Sequence, residues 1–189
     1  MRMSNKMVIW LLVASGLVPI LGATVVYYFV PAGTPQTYGE LQRPVPALKM
    51  GSLTDVSGKP VDIQHFMGKW RLIMVAPAAC AKPCPFTAHA IRNIRIAQSR
   101  EIDRVERVWL VSDRAPLVSL PERDQAGLSI VRAEGSTLVQ QLQKLGPTSG
   151  AIYVSDPLGN LVFRYPASAD PRKIIKELAK LLRNNERIG

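Results

Sequence analysis

The chain has 189 residues and a formal net charge of +10, long enough for one membrane-sized segment and one domain with a real core. Its two cysteines cannot staple a disulfide scaffold, and its two histidines, His65 and His89, exclude a His-rich metal site. The basic balance reads as a solvated surface, or one lying near anionic headgroups, and no nucleic-acid motif accompanies it.

Residues 1–6 carry Arg2 and Lys6, and residues 7–30 carry no charge. At about 1.5 Å per residue that run can cross a ~30 Å hydrocarbon core. Trp10 at one end, with Tyr27 and Tyr28 at the other, suits interfacial anchors, and the positive-inside rule puts residues 1–6 in the cytoplasm. A cleaved signal peptide would have a shorter apolar core ending in small residues. This run ends Val25-Val26-Tyr27-Tyr28-Phe29-Val30, so it is expected to stay as an anchor. Residues 31–47, rich in Pro, Gly and polar side chains, read as a tether, and residues 48–189 as the domain.

Within the domain, residues 53–63 predict a hairpin turning at Ser57-Gly58-Lys59-Pro60, and residues 65–70 a turn. Trp70-Arg71-Leu72-Ile73-Met74-Val75 then predicts a buried strand. It leads into Ala76-Pro77-Ala78-Ala79-Cys80-Ala81-Lys82-Pro83-Cys84-Pro85, which holds both cysteines. Beyond it, Ala90, Ile91, Ile94 and Ala97 share one helical face. The cysteines therefore sit at a strand-to-helix turn, where unpaired N–H groups and the helix dipole favour thiolate. Two thiolates one turn apart can close a disulfide or grip a soft metal such as Cu(I). A static disulfide or two core cysteines is the bland alternative. So local a loop gains little chain-entropy stabilisation, and a helix start favours reactivity.

Further along, residues 107–112 predict a strand, 115–127 a polar connection, and 128–132 a weaker strand. Residues 136–145 predict a helix with Leu138, Leu142 and Leu145 on one face. Residues 151–155 and 161–165 form a hairpin around Asp156-Pro157-Leu158-Gly159-Asn160. The last helix has Asp170 as N-cap, Pro171 in its first turn, and Ile174, Ile175, Leu178, Leu181 and Leu182 on its apolar face. This order predicts an α/β domain, a central mixed sheet flanked by helices.

Other chemistry-bearing residues have plainer readings. His65 and His89 suit a turn and a helix surface; Met50 and Met67 offer thioethers, and Met74 suits core packing. Lys82 favours nearby thiolates or is simply solvated. Arg92, Arg95, Arg100, Arg104 and Arg107, interleaved with Glu101, Asp103 and Glu106, suit a solvated helix end. No hydrolytic triad, phosphate-cradling loop or zinc signature is present.

Strand, cysteines at the turn, helix, and later Pro147-Thr148 ahead of Ala151-Ile152-Tyr153-Val154 together resemble a thioredoxin-like fold. Pro147-Thr148 is similar to the cis-proline segment that packs against the redox cysteines there. Cys80-x-x-x-Cys84-Pro85, preceded by Gly68-Lys69-Trp70-Arg71-Leu72-Ile73, resembles the Sco/SenC family, as does Ile152-Tyr153-Val154-Ser155-Asp156-Pro157-Leu158-Gly159. That resemblance implies a membrane-anchored protein that delivers copper to cytochrome c oxidase or reduces the cysteines of its copper site. The family's copper-binding histidine falls at Thr148, and no histidine follows His89. The expectation therefore shifts from copper carriage to thiol–disulfide exchange by Cys80 and Cys84, with Pro147 shaping the target groove and Cys80 attacking. Cu(I) held by Cys80 and Cys84 without catalysis, and a scaffold that only binds, are the alternatives. The implied partner is an oxidase subunit or another copper-assembly factor, with the domain on the periplasmic side of an inner membrane.

Overall fold

In a computed structural model the described residues are 5–29, 37–42, 44, 46–49 and 51–185. The chain divides into two units, Met1–Gln36 and Thr37–Gly189. The first holds one helix, α1 (Asn5–Phe29), 25 residues with Pro19 inside it. Its described apolar side chains, Trp10, Leu12, Val18 and Ile20 among them, are exposed. Among the described residues no helix is long and apolar enough to cross a membrane. The structure gives the expected anchor at 7–30 no support, and that expectation rests on the uncharged sequence run alone.

The second unit is built on a seven-stranded sheet in the order β1-β7-β6-β3-β4-β5-β2. In chain order the strands are β1 (Glu40–Leu41), β2 (Thr54–Asp55), β3 (Trp70–Ala76), β4 (Val105–Val111), β5 (Leu128–Arg132), β6 (Ile152–Ser155) and β7 (Leu161–Tyr165). The helices are α2 (Cys84–Ile96), α3 (Glu122–Gln125), α4 (Thr137–Gln143) and α5 (Pro171–Asn184). β3, β4 and β5 run parallel, and β6 and β7 are antiparallel to their neighbours. The expected mixed sheet with flanking helices is present.

β3 is central and buried along its whole length, because both faces are covered. Its even residues, Trp70, Leu72, Met74 and Ala76, join Ile91 and Ile94 of α2 and Ile174, Leu178 and Leu182 of α5 in one core. Ile73 and Val75 point the other way, into a second core with Leu138 and Leu142 of α4, Phe66 and Tyr153. The period-2 alternation of a strand thus divides one apolar run between two layers.

Three expectations need correction. Residues 38–41 and 47 of the expected tether belong to the domain: β1 pairs with β7, Ala47 bridges Asn160, and Glu177 of α5 accepts the Tyr38 and Gly39 N–H groups at 2.8 and 2.9 Å. Residues 31–36, 43 and 45 of the expected tether, and residue 30 of the expected anchor, lie outside the described residues. The 53–63 hairpin is shorter than expected: Asp55 N–H donates to the Lys59 carbonyl and Val61 N–H to the Leu53 carbonyl, flanking a single bridge, Thr54 to Pro60. β2 pairs instead with β5 at the sheet edge, and a 3₁₀ turn, Ile63–Phe66, follows. Nor is the arginine run a solvated helix end throughout. Arg107 is buried and donates to the Asp124 and Ala126 carbonyls, while Arg104 donates to the Leu182 and Asn185 carbonyls at the end of α5.

Candidate functional site

The turn that follows β3 is pinned from several sides. Trp109 Nε1 donates to the Ala76 carbonyl at 3.1 Å, and Ser112 N–H donates to the same oxygen. The Asp113 carboxylate accepts the Ala78 N–H at 3.0 Å, and Val118 N–H donates to the Ala78 carbonyl. Two tight turns follow, Cys80 N–H to the Pro77 carbonyl and Cys84 N–H to the Ala81 carbonyl. Cys84 opens α2, as the chain order predicts, and its side chain joins the core under the helix.

Cys80 and Cys84 are joined as a disulfide, with Cα atoms 5.1 Å apart. Cys80 lies in the left-handed region at φ +39°, and Lys82–Pro83 between the cysteines is a cis peptide. The pair is shut in: Cys80 is 6% exposed and Cys84 3%. A cleft of about 180 Å³ lies beside the pair. Cys84 lines it together with Pro83, Thr87 of α2, Ser112, Gln143 and the segment Thr148-Ser149-Gly150; Cys80 is not in its wall. A shallower apolar hollow of about 210 Å³ shares Pro83, Thr87 and Gly150 with the cleft and runs on to Phe86, which is 73% exposed.

The far wall of the cleft shows what sequence reasoning reached and what it missed. Thr148, the position expected to carry a nitrogen ligand, does line the cleft. Pro147 does not fill the expected role. It is exposed, it is not joined by a cis peptide, and its carbonyl accepts a hydrogen bond from Arg164 at 2.9 Å. The chain reaches the cleft one residue later, at Thr148, and lines it through Gly150. A Cβ there would lie 3.0 Å from Pro83 Cγ and 2.8 Å from Ala167, and φ is +73°, so a glycine is what allows this approach. Thr87, Ser112 and Gln143 carried no sequence signal, because they come from three separate elements.

Copper donors are few. Among the described residues no group of three or more His, Cys, Asp and Glu side chains could hold a metal ion. His89 is engaged elsewhere: Nδ1 lies 3.1 Å from Asp124 and Nε2 2.9 Å from the Asn93 amide. If Asn93 donates to Nε2, Nδ1–H donates to Asp124. Met74 packs in the core, as expected. Met50 and the side chain of His65 lie outside the described residues. The donor set at the site is thus two thiolates once the disulfide is opened, which suits Cu(I) and not Cu(II).

Residues 70–185, more than half of the chain, match a family model described as transmembrane-like, thioredoxin-like, C-terminal domain. None of the curated proteins matches the sequence. Several solved structures share the fold. Arabidopsis thaliana ScoI with copper bound is 16% identical, covers 74% of this chain and 99% of its own, and has a TM-score of 0.59. Yeast Sco1 with copper bound is 15% identical over 73% of this chain and 94% of its own, with a TM-score of 0.56. BsSco, described with a disulfide switch and as a member of the Sco family of cytochrome c oxidase assembly proteins, is 13% identical over 75% and 99%, with a TM-score of 0.52. At these identities the likeness is one of fold.

Proposed function

This chain belongs to the transmembrane-like, thioredoxin-like, C-terminal domain family, and from that premise we propose that it is a membrane-anchored thiol–disulfide exchange factor for the copper site of cytochrome c oxidase. The observation that carries the reading is the Cys80–Cys84 pair, closed as a disulfide at the start of α2 beside a cleft that Cys84 and Thr148 both line, Thr148 standing in place of a nitrogen ligand. The fold shared with Sco proteins, one of them described with a disulfide switch, supports the choice of pathway. The uncharged run at 7–30 supports an anchor with the domain on the outer, periplasmic face of an inner membrane.

Exchange needs no metal. A thiolate attacks a disulfide sulfur, a mixed disulfide forms, and a second thiolate resolves it. In this reading Cys80→Ser and Cys84→Ser each abolish assembly of the oxidase copper site in the organism that carries the chain, while the protein still accumulates. Normal assembly with both variants would rule the reading out.

The second reading is Cu(I) delivery, favoured by the same two sulfurs and by the copper-bound relatives of this fold. It is separated by titrating the reduced full chain with Cu(I) against a competing chelator. Tight one-to-one binding, lost in Cys80→Ser, would establish the carrier; its absence, with a reversible disulfide, leaves exchange.

A further inference from the structure

We propose that the outward face of α5 is a docking surface for anionic phospholipid headgroups. Arg172, Lys173, Lys176, Lys180 and Arg183 of this helix are all exposed. At about 100° per residue they fall within an arc of about 100°, on the side away from the buried Ile174, Leu178 and Leu182. From Lys173 to Arg183 the stripe runs about 15 Å. The helix has one acid, Glu177, and it is turned to the Tyr38 and Gly39 N–H groups and the Tyr165 hydroxyl. Among the described residues no salt bridge joins any of the five cations.

The stripe works against the helix that carries it. Arg172, Lys176 and Lys180 stand four residues apart, where like charges repel. Arg172 and Lys173 occupy a first turn whose dipole favours acids. A counter-charge outside the chain relieves both. Cores of protein interfaces are rich in aromatic residues and poor in lysine. These five positions hold three lysines, two arginines and no apolar side chain. Hydrated point charges without a packed centre suit a diffuse anionic surface. The chain also arrives at this helix. Tyr38 is held there through its N–H on Glu177, its hydroxyl accepts the Asp170 N–H, and Lys173 Nζ lies 4.9 Å from its ring centre. Residues 31–37, between the uncharged run and Tyr38, span at most about 25 Å. Docking thus rests on the proposed anchor for its proximity and on the stripe alone for its charge.

The test uses the full chain in lipid nanodiscs, either of phosphatidylcholine or of phosphatidylcholine mixed with phosphatidylglycerol. Lysine acetylation is followed residue by residue by mass spectrometry, with the exposed Lys59, beside β2 at the other sheet edge from β1, as reference. The expected result is that Lys173, Lys176 and Lys180 react at least about threefold more slowly on the anionic discs, that high salt restores them, and that Lys59 reacts alike on both. In the double variant Lys176→Glu, Lys180→Glu, anionic lipid no longer protects Lys173. Equal reactivity of the three lysines on the two discs overturns the proposal, as does protection of Lys173 that survives the double variant. Slowing by polyglutamate with none by anionic lipid assigns the face to an acidic protein and overturns it too. Retention on neutral discs at high salt reads the anchor separately. A chain that leaves neutral discs but keeps salt-sensitive protection on anionic ones loses the anchor and keeps the docking surface.

Discussion

Tyr165 shows how one buried side chain sets a limit on the fold. Its hydroxyl donates to Glu177 at 2.8 Å, and burial first, then the Glu177 carboxylate, holds its proton far above the ordinary value of 10.0. The fold thus favours the neutral phenol. Its contribution is whole below about pH 10, where the unfolded tyrosine is also protonated, and is lost as pH rises further and the unfolded chain gives up the proton first. Tyr165→Phe should flatten this limb: its urea midpoint should fall less than that of wild type between about pH 8 and about pH 11. An equally steep fall would show that another group, such as Tyr153, whose proton is also held by burial, governs the alkaline limit. At the same scale, Thr148 could be assigned its place from spacing to Tyr153, whereas Pro147 could not. A proline's position in sequence does not reveal the isomer of its peptide bond or which neighbour comes one residue closer to the cleft.

At the scale of elements, α5 was legible almost to the residue. Asp170 accepts the Arg172 N–H as N-cap, Pro171 occupies the first turn, and Ile174, Leu178 and Leu182 are fully buried. A helix of this length writes its buried stripe into its own sequence. The two-residue strand β1 was not legible, because it carries no periodicity and is defined by its pairing with β7, and the pairing of β2 with β5 was not legible from the hairpin pattern around it. β1 also depends on α5. Glu177 accepts the Tyr38 and Gly39 N–H groups and the Tyr165 hydroxyl, and a Cβ on Gly39 would come within 2.6 Å of the Tyr165 ring. Glu177→Ala should therefore cost about 1–3 kcal/mol. Hydrogen exchange should show residues 38–41 losing protection while the β3–β4 ladder keeps its own. Unchanged protection at Tyr38 and Gly39 would mean that strand pairing alone holds the segment.

For the whole molecule the question is whether the disulfide holds the fold or is held by it. The cysteines are four residues apart, and closing so short a loop stabilises by only about 2 kcal/mol. Two cores, one on each face of the sheet, carry the rest. Reduction of the full chain should thus leave it folded and lower its unfolding free energy by about 2 kcal/mol, read from urea curves with and without reductant. Unfolding on reduction would mark the bond as a structural staple and count against exchange. By itself the sequence determined the α/β class, the strand-to-helix turn bearing Cys80 and Cys84, the long helices and the β6–β7 hairpin. These depend on periodicity, capping and turn chemistry within a few residues. Tertiary structure alone decided that Glu40, Leu41 and Ala47 pair with the sheet, that Arg107 is buried, that Pro147 stands outside the cleft, and that Cys84 is among its lining residues. Each of these depends on which distant segments meet across the sheet, and the local pattern of a chain does not carry that information.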